Sequence, residues 1–200
     1  MNRKVIIPIT ILALVLMVPL VQYTAAPKPQ AIPFVGMSLV YYANLNGETE
    51  IRTVCVVKYN STTNCVTIRD SQDWADCMEV DVTTREIISV TGSGPWQLPS
   101  YAEYWIPTDV DIGSHVNIVN YDAVVTRSTE MSVDGNTVSV WQLQASGMAA
   151  NGNLWQDTWY YERKTGLWVG TAWILYDPSG QVLGNWGGHL ASTNVVLANG

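Results

Sequence analysis

From position 36 onward, short apolar runs separated by turn signals recur, and almost no stretch keeps a 3.6-residue apolar period. Runs rich in β-branched and aromatic residues predict strands over Leu39–Leu45, Ile51–Tyr59, Cys65–Arg69, Met78–Val82 and Ile87–Thr91. After a Gly/Pro-rich crossing from Gly92 to Pro107, further strands are predicted over His115–Asn120, Ala123–Met131, Thr137–Ala145, Leu154–Tyr161, Leu167–Tyr176, Gln181–Asn185 and His189–Leu197. Turn chemistry separates them: Asn46-Gly47, Asp134-Gly135-Asn136, Asn151-Gly152-Asn153, Thr165-Gly166 and Asp177-Pro178-Ser179-Gly180. The expectation is an all-β domain, an antiparallel meander of eleven or twelve strands forming a curved sheet, sandwich or half-barrel.

One run does not alternate. Arg3 and Lys4 precede an uncharged aliphatic stretch from Val5 to Val21, then Gln22-Tyr23-Thr24-Ala25-Ala26 and a spacer beginning Pro27-Lys28-Pro29-Gln30. A basic flank before an apolar run is an export or anchoring signal. Its 17 residues exceed a usual signal-peptide core and reach the short edge of a membrane span. Thr24-Ala25-Ala26 offers a cleavage site, but Pro27 would follow the cut and disfavour it. The segment therefore reads as an uncleaved signal-anchor, with a cleaved signal peptide as the alternative. This gives residues 1–26 as the membrane or signal helix, 27–35 as a spacer and 36–200 as an extracellular β domain. The membrane is then a partner through residues 5–21, in a single-pass orientation with the C-terminal domain outside; if cleavage occurs, the domain is secreted.

Charge narrows the partners. The acidic residues number 17 and all follow position 26, against eight of the 10 Lys and Arg, so the exported part carries −9. No nucleic-acid partner is expected, because such binders carry basic patches. Cys55, Cys65 and Cys77 allow at most one internal bridge, which an oxidising exterior would permit; their spacings match no zinc pattern. Asn60-Ser61-Thr62 is a glycosylation sequon in an expected turn. Asp70, Asp73, Asp76, Glu79 and Asp81 form an acidic cluster; the first three are Ca²⁺ candidates by donor chemistry, although the glycine and terminal Glu of an EF-hand loop are missing. Nothing in the sequence calls for a cofactor.

The aromatic set stands out most: nine Trp and ten Tyr against one Phe. Rings with a polar handle suit surfaces that are half apolar and half wet. Pairing Tyr161 with Leu167 across the Glu162–Gly166 turn sets Trp159 against Val169 and Trp155 against Trp173. Trp155, Asp157, Trp159 and Tyr161 then share a face with Trp173, while Tyr160, Trp168 and Tyr176 occupy the other. Trp155, Trp159 and Trp173 with Asp157 are the ligand-binding candidates, for a sugar or an apolar ligand, with Gln156 as a polar anchor on the opposite face. The competing reading is that the rings fill the core.

The strings Tyr104-Trp105-Ile106-Pro107-Thr108-Asp109 with Ile112-Gly113, Tyr160-Tyr161-Glu162-Arg163-Lys164-Thr165-Gly166-Leu167 and Ser192-Thr193-Asn194-Val195 follow in order over residues 36–197. They resemble a class of archaeal exported, membrane-tethered β-rich domains of unknown function. The hairpin around Thr165-Gly166 is also similar to the curved half-barrel of lipoprotein carriers. The resemblance implies fold and location and carries no catalytic residues.

Enzyme signals are sparse. Glu79-Val80-Asp81-Val82 resembles the start of a β-sandwich glycosidase motif, but Thr83 and Thr84 stand where its third acid belongs. Ser114-His115 and Ser192 near His189 lack a nucleophile-elbow sequence. Gly92-Ser93-Gly94 leads into Pro95 rather than a phosphate-cradling helix. The expected role is binding or structural, at the cell surface; the alternatives are a carrier of an apolar or lipid ligand and an extracellular glycan-active hydrolase.

Overall fold

The computed structural model describes residues 32–45, 48–71, 77–92 and 98–197. The anchor or signal segment, its cleavage site and the Asn46-Gly47 turn lie outside the described residues. Eleven strands follow in chain order: β1 (Ser38–Leu45), β2 (Glu48–Asn60), β3 (Cys65–Asp70), β4 (Cys77–Asp81), β5 (Ile87–Thr91), β6 (His115–Ile118), β7 (Tyr121–Val133), β8 (Asn136–Met148), β9 (Leu154–Glu162), β10 (Trp168–Tyr176) and β11 (Val182–Thr193). They form one curved antiparallel sheet in the order β5-β4-β3-β2-β1-β11-β10-β9-β8-β7-β6. The first and last parts of the chain thus meet at the centre, where β1 pairs with β11.

The sequence pattern predicts two strands, Gln181–Asn185 and His189–Leu197, where β11 runs unbroken from Val182 to Thr193. Gly187 and Gly188 read as an interruption, yet both are paired with β1 and β10. A Cβ would lie 3.1 Å from the Thr171 carbonyl oxygen at Gly187 and 3.3 Å from that of Tyr42 at Gly188. The glycines therefore permit close backbone approach inside a central strand.

The turns follow their side-chain chemistry. Asp134 and Gly135 take φ of 47° and 74°, as a two-residue hairpin turn requires. Asp177 Oδ1 accepts bonds from the Ser179 and Gln181 amides, both at 2.8 Å. Glu162 Oε2 accepts from the Thr165 amide and hydroxyl at 2.7 and 2.6 Å, tying the β9–β10 turn. Gly166 is required by position: its φ is +74°, and a Cβ there would approach the Ile106 carbonyl oxygen to 2.2 Å.

The crossing between β5 and β6 supplies the second layer. Ala102, Tyr104, Trp105 and Ile106 are buried with Leu39, Val54, Ile68, Met78, Val80, Leu143 and Leu167 of the sheet. The crossing is hydrogen-bonded to β10 and its turn, through Trp168 N to Tyr104 O (3.0 Å) and Ile106 N to Gly166 O (2.9 Å). Residues 100–102 also join the outer strands. Ile87 N donates to Ser100 O and Ala102 N to Arg85 O, both at 2.8 Å, while Tyr101 and Val119 exchange two 2.9 Å bonds. Two edges that would otherwise expose unpaired amides are tied through one short segment.

Arg85 fastens this closure. Its side chain is buried, and Nη1 donates to the Ala102 and Trp105 carbonyls (3.2 Å each) while Nη2 donates to Asn117 O at 2.6 Å.

Candidate functional site

The strand pairing places the aromatic candidates together. Trp155, Asp157, Trp159 and Tyr161 alternate along β9 on the inner face, where Thr171, Trp173 and Leu175 of β10 stand opposite Trp159, Asp157 and Trp155. The expected partners are displaced by two positions: the turn is one residue longer than expected, setting Tyr161 opposite Trp168, and a bulge between Trp168 and Gly170 adds the second. Trp173 consequently faces Asp157 rather than Trp155, and Trp168, expected on the outer face, pairs with Tyr161 on the inner one. There it packs on Tyr41, ring centroids 4.4 Å apart, and its Nε1 donates to Gly170 O at 2.8 Å. Tyr160, Tyr176 and Gln156 fall on the outer face as expected.

The candidate rings divide by exposure. Trp159 is 2% exposed and belongs to the core, whereas Trp155 and Trp173 are half-buried. Tyr121, 37% exposed at the start of β7, stacks against Trp155 at 4.8 Å and reaches Trp159 at 6.1 Å. Gly147 pairs with Trp155, and a Cβ at 147 would lie 2.7 Å from the indole. The missing side chain is what lets the Trp155 ring lie over β8. Trp186 of β11, opposite Trp173, adds a further half-buried ring.

Beside these rings lies a charged network. Arg52 sits in phase with the buried Val54 and Val56 of β2. Its Nη2 meets Asp70 Oδ2 at 2.6 Å, its Nη1 meets Glu103 Oε1 at 2.7 Å, and Tyr104 donates its hydroxyl to Asp70 Oδ2 at 2.8 Å. The guanidinium lies 5.4 and 5.6 Å from the Tyr104 and Trp168 ring centroids. Tyr161 donates its hydroxyl to the Glu103 carbonyl at 2.8 Å, fixing that stretch of the crossing over β9. Burial pushes the Tyr41, Tyr104 and Tyr161 phenols well above their ordinary range, so they stay neutral donors.

Asp157 completes the site. Burial, and then the negative charge of Glu103, push its carboxyl up to about 7; bonds from the Thr171 hydroxyl and Thr158 amide oppose this less strongly. The site thus holds one carboxyl on the edge of protonation at neutral pH and a second, Glu103, paired to Arg52. A carboxyl so raised suits hydrogen bonding and proton transfer alike.

Arg52, Glu103, Tyr121 and Gly147 were not singled out from the sequence, and Tyr104 was quoted only within a turn motif. Arg52 alone left a signal, as a charge in phase with apolar positions on β2. Glu103 lies in an irregular crossing that periodicity does not reach.

Of the other candidates, only Asp70 joins this network. Asp70 is engaged by Arg52 and Tyr104, while Asp73 and Asp76 lie outside the described residues. No group of three metal-ligating side chains occurs among the described residues. Glu79 is exposed and accepts from Ser89 at 3.2 Å. Asp81 Oδ1 accepts from the Thr83 amide at 2.9 Å and the Thr84 amide at 2.6 Å, bonds to Thr84 that pull its carboxyl below the ordinary value. The motif resembling a glycosidase start therefore builds a turn. Asn60 is exposed at the end of β2. Cys55, Cys65 and Cys77 are free thiols opposite Arg69, Asp81 and Thr91. Ser114 accepts from the Asp111 amide at 2.9 Å, and His115 pairs with Asp122 at 2.9 Å. His189 packs edge-on to Tyr42 at 5.9 Å.

No family model and no curated protein matches the chain. Among solved structures, it is similar to MucB at 16% identity and a TM-score of 0.41, over 83% of this chain and 55% of that one. It is also similar to the MucA/MucB complex of Pseudomonas aeruginosa, at 17% identity and a TM-score of 0.42 over 82% and 53%. A complex of MucB with MucA(peri) gives 16% identity and a TM-score of 0.40 over 82% and 51%. The chain spans about half the length of these proteins. These matches lend no support to an archaeal affiliation.

Proposed function

We propose that this protein is an exported binding domain, tethered by its N-terminal segment, that takes up glycan segments at the aromatic end of β9 and β10. The observation carrying this reading is the juxtaposition of Asp157 with the half-buried Trp155 and Trp173 on one face. Sugar rings present apolar C–H faces that stack on indoles and hydroxyls that need acceptors and donors within the same few ångströms. Trp155, Trp173 and Tyr121 supply the stacking surface, and Asp157 the polar partner. Arg52 holds Glu103 in place beside it.

A carrier would need an enclosed apolar cavity of several hundred cubic ångströms. Here the buried crossing residues Ala102, Tyr104, Trp105 and Ile106 occupy the inner face, which weighs against that reading. One observation favours a second reading, a glycan hydrolase: with its carboxyl raised to about 7, Asp157 could donate a proton at neutral pH.

The test is titration of the full chain with cellohexaose, chitohexaose and mannohexaose, followed by tryptophan fluorescence. Binding of at least one is expected, weakened about tenfold or more by Trp155→Ala and by Trp173→Ala. No binding by any of the three, or binding indifferent to both variants, would refute the proposal. Product release that Asp157→Asn abolishes while binding persists would favour the hydrolase reading.

A further inference from the structure

A cavity of about 400 Å³ opens at the far end of β9 from Trp155, between the β4–β5 turn, the crossing and the β9–β10 turn. With about 3.3 Å per strand residue, it lies about 20 Å from the aromatic end. In a chain of net charge −7, the described residues lining it include Arg85 and Lys164 and no Asp or Glu. Four acids stand close along the chain: Asp81 accepts from the Thr83 and Thr84 amides, the buried Glu162 accepts from the Lys164 and Thr165 amides and the Thr165 hydroxyl, and Glu86 and Asp109 directly follow Arg85 and Thr108 without lining the cavity.

Arg85 is the central group. Its guanidinium is taken out of water and meets three backbone carbonyls, with no carboxylate within ion-pair distance among the described residues. Carbonyl dipoles offset only part of the cost of burying a full positive charge. Three bonds also leave two of the five N–H groups of a guanidinium unspent. Two hydroxyls complete the polar side. Thr83 Oγ1 accepts from Asn64 Nδ2 at 2.9 Å, which leaves its own hydrogen to give, and the Thr108 hydroxyl has no partner among the described residues. Trp105 and Val82 provide an apolar wall.

Cations and hydroxyl donors on one side and an apolar wall on the other define the ligand. We propose that this cavity binds a carboxylate carried on an apolar group of side-chain size, with Arg85 and Lys164 as counter-charges and Thr83 and Thr108 as donors. Two sources present that chemistry, a free branched-chain acid and the C-terminus of a peptide ending in an apolar residue.

Calorimetric titration of the full chain distinguishes them, using 4-methylpentanoate and N-acetyl-Val-Leu, each against its amide. At least one acid should bind about tenfold or more tightly than its amide, the effect expected of one charge-assisted contact worth about 1.4 kcal/mol. Preference for the peptide acid identifies chain-end recognition; preference for 4-methylpentanoate identifies a small-acid site. The double variant Lys164→Gln/Thr108→Val should remove that preference. It leaves the Arg85 closure intact, and an unchanged thermal transition checks its folding. Equal binding of acid and amide, no binding of either acid, or a preference that survives the double variant in folded protein would each overturn the proposal.

Discussion

Replacing Asp157 by Asn tests the electrostatics of the aromatic end in one measurement. The amide is nearly isosteric and can still accept from the Thr171 hydroxyl, which lies 3.3 Å from Oδ1. What it removes is a proton equilibrium. The carboxyl rises from an ordinary 3.8 to about 7 on folding, because it is buried first and lies near Glu103 second. Below the unfolded value both states hold the proton. As pH climbs between the two values the unfolded chain releases it while the folded chain keeps it, so stability falls over that window. At about 1.4 kcal/mol per pKa unit, the shift is worth at most about 4 kcal/mol, and partial access of water lowers the expected figure to about 2 kcal/mol. For a domain of this size that is a Tm difference of about 4–8 °C. Urea denaturation of both proteins, followed by tryptophan fluorescence from pH 4 to pH 8, reads it directly. Asp157→Asn should match the wild type at pH 4 and exceed it by about 2 kcal/mol at pH 8. Parallel curves across the range would refute the reasoning.

Other outcomes follow from single contacts. Arg52→Met leaves Asp70 and Glu103 without their ion-pair partner and should lower unfolding free energy by about 3–5 kcal/mol in urea titrations at pH 7. Arg85→Met strips three carbonyls of a donor and should cost about 2–4 kcal/mol, with amide exchange accelerated at Tyr101 and Val119, where the edges meet. Gly147→Val drives a side chain into the Trp155 indole, so near-ultraviolet circular dichroism should change and oligosaccharide binding weaken about tenfold, with the fold retained.

Much of the sheet was legible because alternation and turn chemistry are local. Leu39 to Leu45, Asp134-Gly135 and Asp177 to Gly180 each announce themselves within a few residues. The register of β9 and β10 was legible to its face except at Trp168: a turn one residue longer than expected and a bulge between Trp168 and Gly170 bring that indole to the inner face, where it packs on Tyr41, a residue more than a hundred positions away. Gly187 and Gly188 misled for the converse reason, since their value is close approach to neighbouring strands and not a turn. The site was half visible. Trp155, Asp157 and Trp173 come together by strand periodicity. Glu103 and Tyr104 reach them only because the crossing folds onto the inner face, an event set by tertiary packing of Ala102, Trp105 and Ile106.

The most direct test of the binding proposal is the set of indole N–H resonances in a two-dimensional NMR titration with the oligosaccharide that binds. Trp155 and Trp173 should shift on saturation, while the buried Trp105, Trp141 and Trp168 stay fixed. Saturable binding that leaves both Trp155 and Trp173 unmoved would contradict the assignment of the aromatic end as the binding surface.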